Sequence, residues 1–186
     1  MLKRVAFALI AMMILVACGS EQSTAPVAPP TTGVNDPARD IADQALAFSY
    51  AKAFDKAAPL FEQAAEAGNR PAQYYLGLLY ARGDGVDQSF DEAFKWLQKA
   101  AMGGHPKAAY HLGEMHVKGE GVAVDHVTAL AWFWVGTTLG DRYSEKRLRA
   151  VAPRLTPDEM GRSKTLSTEL YAKIPHDLKV KRKSLH

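Results

Sequence analysis

The amino-acid sequence predicts an all-α solenoid of antiparallel helix pairs closed by a C-terminal capping helix. Three observations carry this expectation. Residue types recur every 36 positions between Ala57 and Gly140, the apolar residues inside each period follow helical spacing, and a strong helix-start signal follows the last period. A fixed period of this length marks a repeat array, in which each unit buries its apolar face only by stacking on its neighbours. Ala57, Ala93 and Ala129 form one column, Leu60, Trp96 and Trp132 a second, Phe61, Leu97 and Phe133 a third, and Gly68, Gly104 and Gly140 a fourth. Ala72 matches Ala108, Leu76-Gly77 matches Leu112-Gly113, and Gly83-Asp84-Gly85-Val86 matches Gly119-Glu120-Gly121-Val122. With 186 residues, 47% of them hydrophobic, the chain can bury one sizeable core.

The start of the chain does not belong to that core. Residues 1–17 read as an export signal: Lys3 and Arg4 form a short basic region, and Val5 to Val16 is an apolar run too short to span a bilayer comfortably. The run ends in Leu15-Val16-Ala17-Cys18, which resembles the lipobox of bacterial lipoproteins. That resemblance implies that Cys18 carries a diacylglycerol thioether and becomes the acylated N-terminus, a membrane anchor. Cys18 is the sole cysteine, so no disulfide within the chain is expected. The residue after it is Gly19 and not Asp, which in lipoproteins implies an outer-membrane anchor facing the periplasm, with the inner membrane as the alternative. Residues 18–36 make up the lipidated Cys and a linker, in which Pro26, Pro29 and Pro30 stand among Ser, Thr and Gly. Such a segment, if extended, spans up to roughly 50 Å.

Residues 37–175 form the expected helical domain. Asp36-Pro37 reads as an N-cap followed by a helix-starting proline, with Ile41, Ala45 and Phe48 on one face. The first A helix is expected over about Lys56 to Ala67, with Ala57, Leu60, Phe61 and Ala64 on its buried face and Pro59 in its first turn. The first B helix runs over about Pro71 to Ala81, with Ala72, Tyr75, Leu76 and Leu79 inward. The second pair repeats this with Ala93, Trp96, Leu97 and Ala100, then Ala108, His111, Leu112 and Met115. Small residues recur at Ala64, Ala72 and Gly77 and again at Ala100, Ala108 and Gly113, so the two helices of each pair are expected to approach closely there. A third A helix follows, but its B helix has Leu148-Arg149 where the others have Leu-Gly. Thr156-Pro157-Asp158-Glu159 then opens a capping helix to about Ile174, whose Met160, Leu166 and Leu170 cover the last pair.

These columns, together with the closing Gly of each A helix and the Gly-x-Gly-Val turns, resemble the Sel-one-like repeat family, a relative of the tetratricopeptide repeats. The resemblance covers about Phe54 to Ala152. It implies a right-handed α-solenoid used for protein interaction; nothing in it implies catalysis, and no cofactor is expected.

The residues themselves offer little chemistry. The net charge of +3 falls to +1 once Lys3 and Arg4 are removed, and the basic residues Lys179, Lys181, Arg182 and Lys183 are confined to a tail at 176–186, so nucleic acid is not an expected partner. His111 and His116 lie five positions apart, about 140° around a helix, and cannot ligate one metal from one face. They match Tyr75 and Tyr80 of the previous unit and read as planar packing groups. The Gly-x-Gly turns lack the preceding strand and following Lys-Ser/Thr of a phosphate loop.

A binding surface is the remaining expectation. The columns Glu62, Gln98, Trp134 and Ala58, Phe94, Leu130 turn apolar along the A helices. Phe94, Gln98, Leu130 and Trp134 are therefore the candidate partner-binding residues, lining a groove with Trp134 as its aromatic anchor. The competing reading is that the cap covers Trp134, because Ala131 and Val135 make the third A helix apolar all round and something must bury it. Function reads as a membrane-anchored periplasmic scaffold for a protein or peptide. A cell-wall ligand-binding or enzymatic protein, and a purely structural envelope component, are the alternatives.

Overall fold

The computed structural model describes residues 36–175; Cys18, most of the linker and the tail lie outside the described residues. Eight α-helices occur there: α1 Pro37–Tyr50, α2 Phe54–Glu66, α3 Arg70–Arg82, α4 Phe90–Met102, α5 Pro106–Lys118, α6 His126–Thr138, α7 Arg142–Val151 and α8 Pro157–Lys173. A single 3₁₀ turn, Ala152–Arg154, joins α7 to α8. The A helices are α2, α4 and α6, the B helices α3, α5 and α7, and α1 stands where a B helix would precede the array.

Polar side chains cap seven of the eight α-helices among the described residues, Asp36 and Thr156 as expected, while α2 starts after Ala53 without a side-chain cap. The Asp36 carboxylate accepts from the backbone N–H groups of Ala38 and Arg39 at 3.1 and 3.4 Å, and Asn69 accepts from Ala72 at 2.9 Å. Thr156 and Glu159 form a reciprocal capping box: the Glu159 N–H donates to Thr156 Oγ1 at 3.3 Å and the Thr156 N–H to Glu159 Oε2 at 2.8 Å. One expectation is corrected. Helix α2 starts at Phe54, so Pro59 falls in the second turn, where its missing N–H leaves the Asp55 carbonyl without an intrahelical donor. Both residues are exposed, so that carbonyl is not left without partners in a dry core.

Within each pair the helices meet through small side chains. Ala64 and Ala72 are fully buried, as are Ala100 and Ala108. In the third pair the same two columns hold Gly136 and Ser144, and a Cβ on Gly136 would collide with the Ser144 side chain. The larger serine on α7 is thus matched by a smaller residue on α6.

The Leu-Gly glycines do something else. A Cβ on Gly77 would lie 2.8 Å from Leu97 Cγ, and one on Gly113 would lie 2.5 to 2.8 Å from the Phe133 ring. Leu97 and Phe133 belong to the A helix of the following unit, so these glycines set the spacing between successive pairs and not within a pair as expected. The turns that follow are equally tight. Gly85 and Gly121 have φ of +71° and +69°, and a Cβ there would strike the backbone of Phe54 and Phe90 at the start of the preceding A helix.

The array stops after α7. Arg149 occupies the column of Gly77 and Gly113, is ion-paired to Glu145 at 2.5 Å, and is 76% exposed. No helix can approach α7 there as α4 approaches α3. Pro153 and the 3₁₀ turn redirect the chain, and α8 packs along α6 and reaches α4, with little contact to α7. Arg147 also pairs with Glu114, tying α7 back to α5.

His105, His111 and His116 are packing groups. His105 caps α5, its Nδ1 accepting from the Ala108 N–H at 3.3 Å, and its ring stacks on Tyr74 with centroids 4.3 Å apart. His111 Nε2 lies 3.4 Å from the Tyr74 hydroxyl. Burial, then the nearby cations Lys107 and Arg70 for His105 and Arg82 for His111, pushes each imidazole down to about 4.

Two predictions follow from this packing. Gly113→Ala should lower stability by about 1–3 kcal/mol in urea unfolding, because Phe133 must shift, whereas Gly161→Ala, on exposed α8 with no atom near a new Cβ, should raise it by about 0.5–1 kcal/mol. For pH, the folded state resists protonating His105 and His111 while the unfolded chain takes protons near 6.5. Stability is therefore full above that value and lost as pH falls from about 6.5 toward 4. The Tm measured across this window should drop, and the drop should shrink in His111→Phe.

Candidate interaction trough

The A-helix face of the array changes character from one unit to the next. Pro59 and Lys95 are exposed in α2 and α4, yet their counterpart Ala131 in α6 is fully buried. Gln63 and Lys99 are exposed, yet Val135 is 1% exposed. Helix α8 accounts for this: Val135, Trp132, Leu139 and the helix-ending Ile174 share one buried cluster, with Leu170 and Tyr171 packed against it. Arg162, Lys164 and Glu169 on the other side of α8 remain in water. The apolar third A helix thus finds its cover in the C-terminal helix, as its composition demands.

Where α8 ends beside α4 it leaves a trough of about 370 Å³ lined by Gln98, Lys99, Met102, Trp132, Leu170 and Lys173. Its polar rim is Gln98, Lys99 and Lys173, all exposed, and its floor is Met102, Trp132 and Leu170. Lys99 Nζ lies 3.9 Å above the Trp96 ring, a cation–π contact that anchors the side chain while leaving the ammonium in water. Trp96, expected on the buried face, is only partly buried; Trp132 in the same column is 3% exposed.

The four candidate residues separate. Gln98 lines the trough. Phe94 is turned toward the B helix, its ring edge-on to His116 at 5.7 Å, so it belongs to the interior of its own pair. Leu130 has no exposed surface at all and joins Ala129, Phe133 and Val151 in a buried cluster, which removes it from any open groove. Trp134 is partly buried against that same cluster, beside which Leu148, Leu155 and Met160 also pack, and its indole Nε1 is buried without a hydrogen-bond partner. The reason lies in the geometry of stacking: the column of Ala58, Phe94 and Leu130 faces inward, and a column that grows apolar along the array is filling core.

Sequence reasoning missed Met102, Trp132, Leu170 and Lys173 as a group. Trp132 fell in a column assigned to the core, and Leu170 and Lys173 lie on a helix whose docking site no local signal specifies. Among the described residues, no three His, Cys, Asp or Glu side chains are placed to hold a metal ion.

Comparison with known proteins fits this architecture. The family described as Sel1 repeat matches residues 49–69, 70–105 and 106–133. A Sel1 repeat protein from Oxalobacter formigenes is 32% identical, with a TM-score of 0.56 over 61% of this chain and 88% of that one. A protective antigen present in uropathogenic Escherichia coli strains, displaying an SLR fold, is 28% identical with a TM-score of 0.73 over 77% of this chain. This chain spans only 32% of that antigen's length. No curated protein matches the sequence. Sel1 repeats form helical scaffolds that generally mediate protein–protein interaction. The 36-residue columns that set the packing of α2 through α6 are those of this family, and the chain belongs to the Sel1 repeat proteins, with a right-handed α-solenoid fold.

Proposed function

We propose that this chain is a cell-envelope scaffold, anchored through a lipid on Cys18, that holds a protein or peptide partner in the trough beside α8. The observation that carries the reading is the trough itself: an apolar floor of Met102, Trp132 and Leu170 under an exposed polar rim, on a scaffold of a protein-binding kind. A partner side chain set on that floor would lose water against it, which is how concave sites gain affinity from little area. The anchor rests on Leu15-Val16-Ala17-Cys18 and on Gly19, which favour an outer-membrane lipoprotein facing the periplasm. Among the described residues, no helix is long and apolar enough to cross a membrane.

In this reading, a photo-crosslinking amino acid in place of Gln98 should capture a protein in intact cells, while the same group in place of Arg162, on the solvent side of α8, should not. Capture of glycan strands in place of protein would support the cell-wall ligand reading, and equal capture at both positions would remove the trough from consideration. Cys18→Ser should move the protein out of the membrane fraction, since lipid chains supply the proposed anchor; a processed Cys18→Ser protein still sedimenting with membranes would contradict it.

A further inference from the structure

The lining of the trough is charged on one side only. Of its six residues, two are lysines, one is a glutamine and three are apolar, and among the described residues no carboxylate lines it. Some surface cations elsewhere have acidic neighbours, Lys95 with Glu92 at 2.7 Å, Lys118 with Glu120 at 3.6 Å, Arg149 with Glu145 at 2.5 Å and Arg162 with Glu159 at 3.9 Å, while others, such as Lys52, Lys107, Lys146 and Lys164, are exposed with no ion pair among the described residues. Lys99 and Lys173 have no carboxylate partner among the described residues. Lys99 is held over Trp96 instead, and Lys173 is exposed on the last turn of α8.

Two positive charges facing an apolar floor select for a particular chemistry. A basic segment is repelled, and the chain's own Lys179, Lys181, Arg182 and Lys183 carry the same sign as the rim. A purely apolar segment would leave the Gln98 amide and both ammonium groups without partners as water is displaced. Resting on the trough reading above, we propose that the occupant is an acidic peptide segment of a partner protein, with one apolar side chain on Met102, Trp132 and Leu170 and carboxylates paired with Lys99 and Lys173. Gln98 can donate to and accept from the peptide backbone of that segment. Because the lysines are exposed, their contribution should be sensitive to salt.

The test is selection of a random dodecamer phage-display library on the full chain in detergent, followed by anisotropy titration of the enriched peptides, labelled with fluorescein. The expected consensus places Asp or Glu on both sides of one apolar residue. Binding of those peptides should weaken at least tenfold in Lys99→Gln/Lys173→Gln, whose melting curve should match the parent, and should weaken again on going from 0.05 to about 0.5 M salt. A neutral or basic consensus, or acidic peptides that bind the double variant unchanged, overturns the assignment. So does a result in which only phosphatidylglycerol vesicles, and no peptide, lose binding in the double variant. The photo-crosslinker at Gln98 distinguishes the charge selection from the trough itself. Neutral peptides that still crosslink there refute the charge selection and leave the trough as the binding site, whereas no enrichment, or enriched peptides that do not crosslink there, refute both.

Discussion

The contact on which the rest of the structure depends is the approach of each B helix to the A helix of the next unit at a glycine. Gly77 against Leu97 and Gly113 against Phe133 leave no room for a methyl group. Helix stacking at this distance brings Leu97 and Phe133 to complete burial, and full burial of such side chains is worth about 1.5–3 kcal/mol each. The within-pair contacts adapt more readily. Where Ser144 replaces the alanine of α3 and α5, Gly136 replaces the alanine of α2 and α4, and the same total bulk is divided differently between the two helices.

The end of the array follows from the same constraint. Arg149 in the glycine column cannot admit another A helix, and its guanidinium stays in water paired with Glu145. A fourth A helix at the regular place would have left α6 exposed along Ala131 and Val135. The chain instead turns at Pro153 and lays α8 over α6, covering the apolar face in the manner that open repeat arrays require. That one redirection both caps the core and builds the trough, because the end of α8 brings Leu170 and Lys173 beside Gln98, Lys99 and Met102. Structure and candidate site therefore share a cause.

The polar networks are local and secondary. The caps at Asp36, Asn69, Ser89, His105, Asp125, Asp141 and Thr156 satisfy helix N-termini one by one, each worth about 0.5–2 kcal/mol. His105 is the least common of these. It caps only while neutral, because its Nδ1 must offer a lone pair to the Ala108 N–H, and burial against Tyr74 keeps it in that form. His111 and His116 likewise pack as rings, against Tyr74 and Phe94.

What the sequence by itself determined is whatever repeats or caps: the helix order, the pairing, the buried alanine columns, the glycine turns and the start of α8. These are encoded by spacing, by positive-φ turns and by side chains that bond within a few residues, so one chain read in order contains them. Even there, the direction in which Gly77 and Gly113 point was not legible, since a helix face reads as small without saying which neighbour fills the space. The tertiary structure alone decided where α8 lies, and with it the fate of the candidate surface. Phe94, Leu130 and Trp134 read as a growing apolar patch, but Leu130 is buried outright and the other two are partly covered. Periodicity distinguishes faces of a helix. It cannot distinguish a face that will meet a partner from one that a distant segment of the same chain will cover, because both are apolar for the same reason, and only the path of the chain after Arg149 settles which it is.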